Sequence, residues 1–65
     1  MSNPQANIHP NAIIAEGAII EPFATIGDNV VIGAGTWIGP GAVIMSGARI
    51  GENCKIFPGA VISAI

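Results

Sequence analysis

The sequence contains no leucine and no tyrosine. Leucine is among the strongest helix formers, so its absence argues against a helical core. There is a single cysteine, Cys54. That excludes an internal disulfide framework and fits a reducing compartment, so a cytoplasmic location is expected. Charge is scarce, at 9% of residues, against roughly 25% in an average soluble domain. Two basic residues face four acidic ones, for a formal charge of −2. A nucleic-acid binder needs a basic patch, so that class is excluded. Yet apolar runs are also short. The longest uncharged stretch, Asn29 to Ala48, is broken by five glycines and a proline. No membrane span is expected, because a span needs about 20 apolar residues in succession. The start lacks both the basic and the apolar region of a signal peptide. With 65 residues the chain makes at most one small domain, burying only about 60% of its unfolded surface.

What is present is isoleucine, thirteen times, with four valines, nine glycines and five prolines. These favour strands and turns. Isoleucine stands at 8, 14, 20, 26, 32, 38, 44, 50, 56 and 62. A comb of ten positions would catch about two of the thirteen by chance, so the six-residue spacing is a true repeat. Four residues after each isoleucine comes a small residue: Ala12, Ala18, Ala24, Val30, Thr36, Ala42, Ala48, Cys54, Ala60. Three residues after it comes Asn11, Gly17, Asn29, Gly35, Gly41, Gly47, Asn53 or Gly59, with Phe23 as the exception. Glycine and asparagine tolerate a left-handed backbone. The expected unit is a three-residue strand of small residue, outward residue and inward isoleucine, followed by a turn. Ala18 and Ile20 then point in and Ile19 points out, because side chains alternate along a strand.

Proline supplies a second period. Pro4, Pro22, Pro40 and Pro58 are eighteen apart, and Pro10 lies off that register. Eighteen residues make three hexads, so the simplest closed object is a triangular coil with stacked corners. Proline suits a corner because it has no N–H to give a ladder. Coils would stack in parallel about 4.8 Å apart. The expectation is an all-β protein of slightly more than three coils. Residues 1–7 form an N-terminal cap and residues 8–65 the coils. The polar cap contrasts with the end at "VISAI", where Ile62 and Ile65 leave the last coil open.

The hexad, clearest in "IGDNVVIGAGTWIGPGAVI", resembles the hexapeptide-repeat transferases over residues 8 to 62. That resemblance implies a left-handed parallel β-helix and a homotrimer. "IHPNAIIAEGA", "IEPFATIG" and "ARIGENCKIFPGAVIS" look like the first coils of the acyl-ACP–UDP-N-acetylglucosamine O-acyltransferases of lipid A biosynthesis. Those enzymes move a hydroxyacyl chain from acyl carrier protein to the sugar. Their chains are about four times longer, and their general-base histidine lies in later coils. The resemblance therefore implies an N-terminal portion that is inactive alone, with acyl carrier protein and UDP-N-acetylglucosamine as partners of the whole enzyme. The alternatives are an engineered or truncated β-helix scaffold and a different hexapeptide-repeat acyltransferase.

No residue of this chain is expected to be catalytic, and no cofactor or metal is expected. His9, the one histidine, follows the first inward isoleucine and should face outward without an acid or nucleophile partner. Metal sites need three or four ligands, which one histidine and one cysteine in different columns do not supply. Cys54 takes a small-residue slot below Thr36 and reads as a buried small hydrophobe. "GAGTWIG" lacks the GxGxxG spacing of a phosphate loop. No two of Glu16, Glu21, Asp28 and Glu52 are eighteen apart, so none stack on adjacent coils, and Arg49 and Lys55 belong to different faces. The outward positions say more. Ile19 stacks with Trp37 next to Phe57, and Ile13 stacks with Val31. Exposed apolar patches usually mark interfaces, so these five residues are the candidate subunit interface. An isolated chain is expected to associate laterally or end to end rather than remain a stable monomer.

Overall fold

A computed structural model describes residues 5–64 and consists of two-residue strands joined by tight corners. The strands are β1 (Asn7–Ile8), β2 (Ile13–Ile14), β3 (Ile19–Ile20), β4 (Thr25–Ile26), β5 (Val31–Ile32), β6 (Trp37–Ile38), β7 (Val43–Ile44), β8 (Arg49–Ile50), β9 (Lys55–Ile56) and β10 (Val61–Ile62). They form three sheets in the orders β1-β4-β7-β10, β2-β5-β8 and β3-β6-β9. Every pairing is parallel, with Ile20 opposite Ile38 and Ile38 opposite Ile56. Partners are eighteen residues apart, so each coil uses three hexads. The architecture is a β-solenoid of about three turns without a helix among the described residues. It is consistent with a left-handed β-helix.

The strands are shorter than expected. The small residue before each one lies outside the ladder, although its side chain still points inward. Its carbonyl does join the neighbouring coil: Ile19 N–H donates to Thr36 O at 2.9 Å and Trp37 N–H to Cys54 O at 2.9 Å. Ala18, Ala24, Val30, Thr36, Ala42 and Ala48 are buried with Ile20, Ile26, Ile32, Ile38 and Ile44. Each fully buried isoleucine contributes roughly 1.5–3 kcal/mol. Ile8, Ile14, Ile50, Ile56 and Ile62 pack against this core but are only partly buried. They belong to the outer coils, where a neighbour lies on one side alone.

The corners are β-turns closed by N–H donation from the small residue to the carbonyl three positions earlier, as in Ala42 to Gly39 at 3.2 Å and Ala60 to Phe57 at 3.1 Å. Proline stands second in the corners at Pro22, Pro40 and Pro58. The third residue is left-handed, with φ +67° at Phe23, +74° at Gly41 and +76° at Gly59. Proline followed by positive φ is the signature of a type II turn. Two positions differ from the sequence expectation. Phe23, the one residue in that slot that is neither glycine nor asparagine, adopts the left-handed backbone all the same. Asn11, expected to be left-handed, is not among the positive-φ residues; its N–H is held by the His9 side chain instead. Of the expected N-terminal cap, Met1 to Pro4 lie outside the described residues, as does Ile65.

Candidate functional site

The outward residues of the three faces follow from strand alternation. The β2-β5-β8 face presents Ile13, Val31 and Arg49, and the β3-β6-β9 face presents Ile19, Trp37 and Lys55. Ile13 and Val31 are register partners, as are Ile19 and Trp37. Ile13 is 64% exposed and Ile19 46%, while Val31 and Trp37 are half-buried. Phe57 begins the corner after β9 and is 66% exposed. The sequence pattern did not single out Phe23, which is 68% exposed on the same corner two coils away, or Val61 on β10. Ile19, Phe23, Phe57 and Val61 thus place apolar surface on the corner between two faces. Gly39, Pro40 and Gly41 occupy the rung between the two phenylalanines.

Trp37 is fixed by a contact across coils. Its indole Nε1–H donates to Glu21 Oε2 at 2.7 Å. Glu21 opens the corner after β3, one coil before Trp37. The indole therefore has its one donor satisfied while remaining partly open to solvent, a common state for tryptophan at interfaces. The remaining acidic side chains do not converge with it.

Thr36 is the only buried polar side chain among the described residues. Its hydroxyl donates to Gly51 O at 2.6 Å and accepts from Cys54 N–H at 3.1 Å. Both partners belong to the next coil, so the hydroxyl ties two coils together without leaving a polar atom unpaired. Cys54 differs from expectation in being half-buried rather than buried. It lies on the outermost described coil of its column, with its thiol 3.6 Å from Glu52 O. No base is placed beside it.

His9 is exposed, as its outward position requires, but the expectation that it lacks an acidic partner does not hold, because the nineteen-residue offset brings Asp28 of the next coil beside it. Its Nδ1 accepts the Asn11 N–H at 3.0 Å and lies 3.6 Å from Asp28 Oδ1. That oxygen is shut from solvent and has no hydrogen-bond partner. Among the described residues, no three His, Cys, Asp or Glu side chains come together as metal ligands. No helix there is long and apolar enough to cross a membrane.

The geometry thus contains a repeated parallel coil, an apolar outer surface and two small polar clusters. It does not assemble a nucleophile with its base. No curated protein matches the chain. The family model described as bacterial transferase hexapeptide (six repeats) matches residues 29–64. That segment covers β5 through β10, which carry the inward isoleucines from 32 to 62 in unbroken register. With this match over more than half its length, the chain belongs to the bacterial transferase hexapeptide family.

Proposed function

We propose that this chain is the N-terminal β-helical portion of an O-acyltransferase that transfers a hydroxyacyl group from acyl carrier protein to UDP-N-acetylglucosamine. The family match carries the reading to a transferase β-helix. The stretches "IHPNAIIAEGA" and "ARIGENCKIFPGAVIS" support the finer assignment. In this reading the general base lies in later coils, as the resemblance implies, and the His9–Asp28 pair on the first described coils is not the catalytic set. The chain's own task is to hold a subunit face. Ile19, Trp37 and Phe57 on one side, or Ile13 and Val31 on another, pack against further copies in a homotrimer.

The test follows the coding frame past Ile65. Further hexads carrying a histidine, then a helical segment, support the proposal when the full product acylates UDP-N-acetylglucosamine and loses that activity on replacing the histidine. Transfer to a different acceptor overturns the substrate assignment. Turnover by the 65-residue chain alone overturns the placement of the base. Sedimentation tests the subunit face separately: Trp37→Glu is expected to shift trimer toward monomer, and an unchanged trimer excludes the Trp37 face.

A further inference from the structure

The corner after β1, β4 and β7 contains an arrangement that the proposed function does not use. At four other corners the third residue donates its N–H to the carbonyl nineteen positions earlier, on the preceding coil. Gly41 donates to Pro22 O at 3.3 Å, Gly47 to Asp28 O at 2.9 Å, Asn53 to Ala34 O at 2.9 Å and Gly59 to Pro40 O at 3.2 Å. Asn11 has the equivalent place on the first described coil. Its N–H goes to His9 Nδ1 at 3.0 Å. The imidazole therefore stands in for a carbonyl of a preceding coil. Accepting that bond requires a lone pair on Nδ1, which puts the proton of the neutral ring on Nε2.

Asp28 Oδ1 lies 3.6 Å from the same nitrogen. That one oxygen is closed to solvent and unpartnered, while the Asp28 side chain as a whole is half exposed, so the carboxylate is solvated on one side and lacks a donor on the side that faces His9. With a neutral ring, two acceptors face each other with no donor between them. A proton taken up from solvent at Nδ1 reverses the situation. The new N–H can no longer accept from Asn11, and it points a charged donor toward the unpartnered oxygen. Charge-assisted bonds of this kind are stronger than neutral ones. The rungs His9 to Asn11, 27 to 29 and 45 to 47 stack on this corner, and Asp28 is their only charged side chain apart from His9 itself. Strands β1 and β4 add none. Glu16, Glu21 and Glu52 occupy the other two corners, and Arg49 and Lys55 lie on β8 and β9.

We propose that His9 is a proton-operated latch between the first two coils. Neutral, it caps its own corner through Asn11. Protonated, it releases the Asn11 N–H and binds Asp28 on the next coil.

The experiment is a pH titration of the isotopically labelled 65-residue chain by NMR. The neutral His9 ring is expected to be the Nε2–H tautomer. On protonation the Asn11 amide should lose about five-fold in exchange protection, the equivalent of one ordinary hydrogen bond. The Asp28 carboxyl carbon should shift over the same pH interval as the ring. His9→Gln should abolish both linked changes, while Asp28→Asn should keep the loss at Asn11. Dispersed methyl signals from Ile26 and Ile32 report that each variant is folded. A neutral ring protonated on Nδ1 overturns the proposal, and so do Asn11 and Asp28 signals that ignore the charge of His9. If the variants fail to fold, the titration of the unaltered chain still decides between these outcomes.

Discussion

Two glycines separate the reasons that this fold needs glycine. At Gly33 the backbone has an ordinary φ, but an added Cβ would stand 2.6 Å from the carbonyl carbon and oxygen of Gly51 and 2.7 Å from Glu52 N. These are backbone atoms and cannot swing aside. Restoring an ordinary contact of 3.4 Å requires a local separation of 0.8 Å (3.4 minus 2.6) between coils. The Gly33 N–H donates to Ile50 O at 2.8 Å across that gap, so opening it strains or breaks the bond. Overpacking costs about 1–3 kcal/mol and the hydrogen bond roughly 1 kcal/mol more. At Gly41 nothing lies within 4 Å of the added Cβ, but φ is +74°. There the cost is backbone strain alone, about 1–2 kcal/mol. Total stability for this length is of the order of 3–10 kcal/mol. Gly33→Ala should therefore remove much of the cooperative transition, and Gly41→Ala should only lower its midpoint. Urea unfolding followed by circular dichroism at one fixed protein concentration makes the comparison, since association shifts apparent stability. A Gly41→Ala variant as damaged as Gly33→Ala would refute the steric account of coil spacing.

Three further outcomes follow from the same geometry. Ile32→Ala should destabilise by about 2–5 kcal/mol, because Ile32 is fully buried between coils on both sides and the cavity has no flexible neighbour to fill it; chemical denaturation measures it, and a change under about 1 kcal/mol sinks the packing argument. Thr36→Val should cost about 1–3 kcal/mol by leaving Gly51 O and Cys54 N–H without their shared hydroxyl, while Thr36→Ser should recover most of the loss; equal stability of the two variants contradicts the hydrogen-bond reading. Phe23→Asn should stabilise the isolated chain by about 1 kcal/mol, since asparagine takes φ +60° and +55° at positions 29 and 53 and relieves the strain of a left-handed aromatic. A lower thermal midpoint for that variant at a concentration where it is monomeric shows that the ring contributes packing its exposure conceals.

The coil was legible in the sequence because one physical requirement recurs at every turn. An inward isoleucine every six residues sets the strands, and proline every eighteen sets the number of sides. Both are properties of single positions, so they survive in a linear reading. The strand length was not legible. Whether Ala18 belongs to its ladder depends on where the corner's backbone leaves the plane of the sheet, and side-chain identity says little about that. Phe23 shows the same limit from the other side. Its residue type argues against a left-handed φ, yet the closed corner imposes one. Two further coils built on the same turn, closed at Gly39–Ala42 and Phe57–Ala60, outweigh a local preference of about 1–2 kcal/mol.

The polar contacts were hidden for a different reason. Stacking at eighteen residues predicts which side chains share a column, and it pairs Ile19 with Trp37 correctly. Glu21 and Trp37 are sixteen apart, and His9 and Asp28 are nineteen apart. Both pairs cross from one column to a neighbouring one, over the boundary between a strand or corner rung and the next. A long glutamate or an imidazole reaches that far, while an isoleucine does not. Column arithmetic therefore works for the core, where short branched side chains meet their own kind. It fails at the corners, where reach and hydrogen-bonding direction decide the partner. An off-register search at eighteen plus one and eighteen minus two, restricted to side chains with polar ends, would have found both contacts. The chemistry of a β-helix is most open to variation at those same corners, because a substitution there changes partners without disturbing the inward comb that holds the coils together.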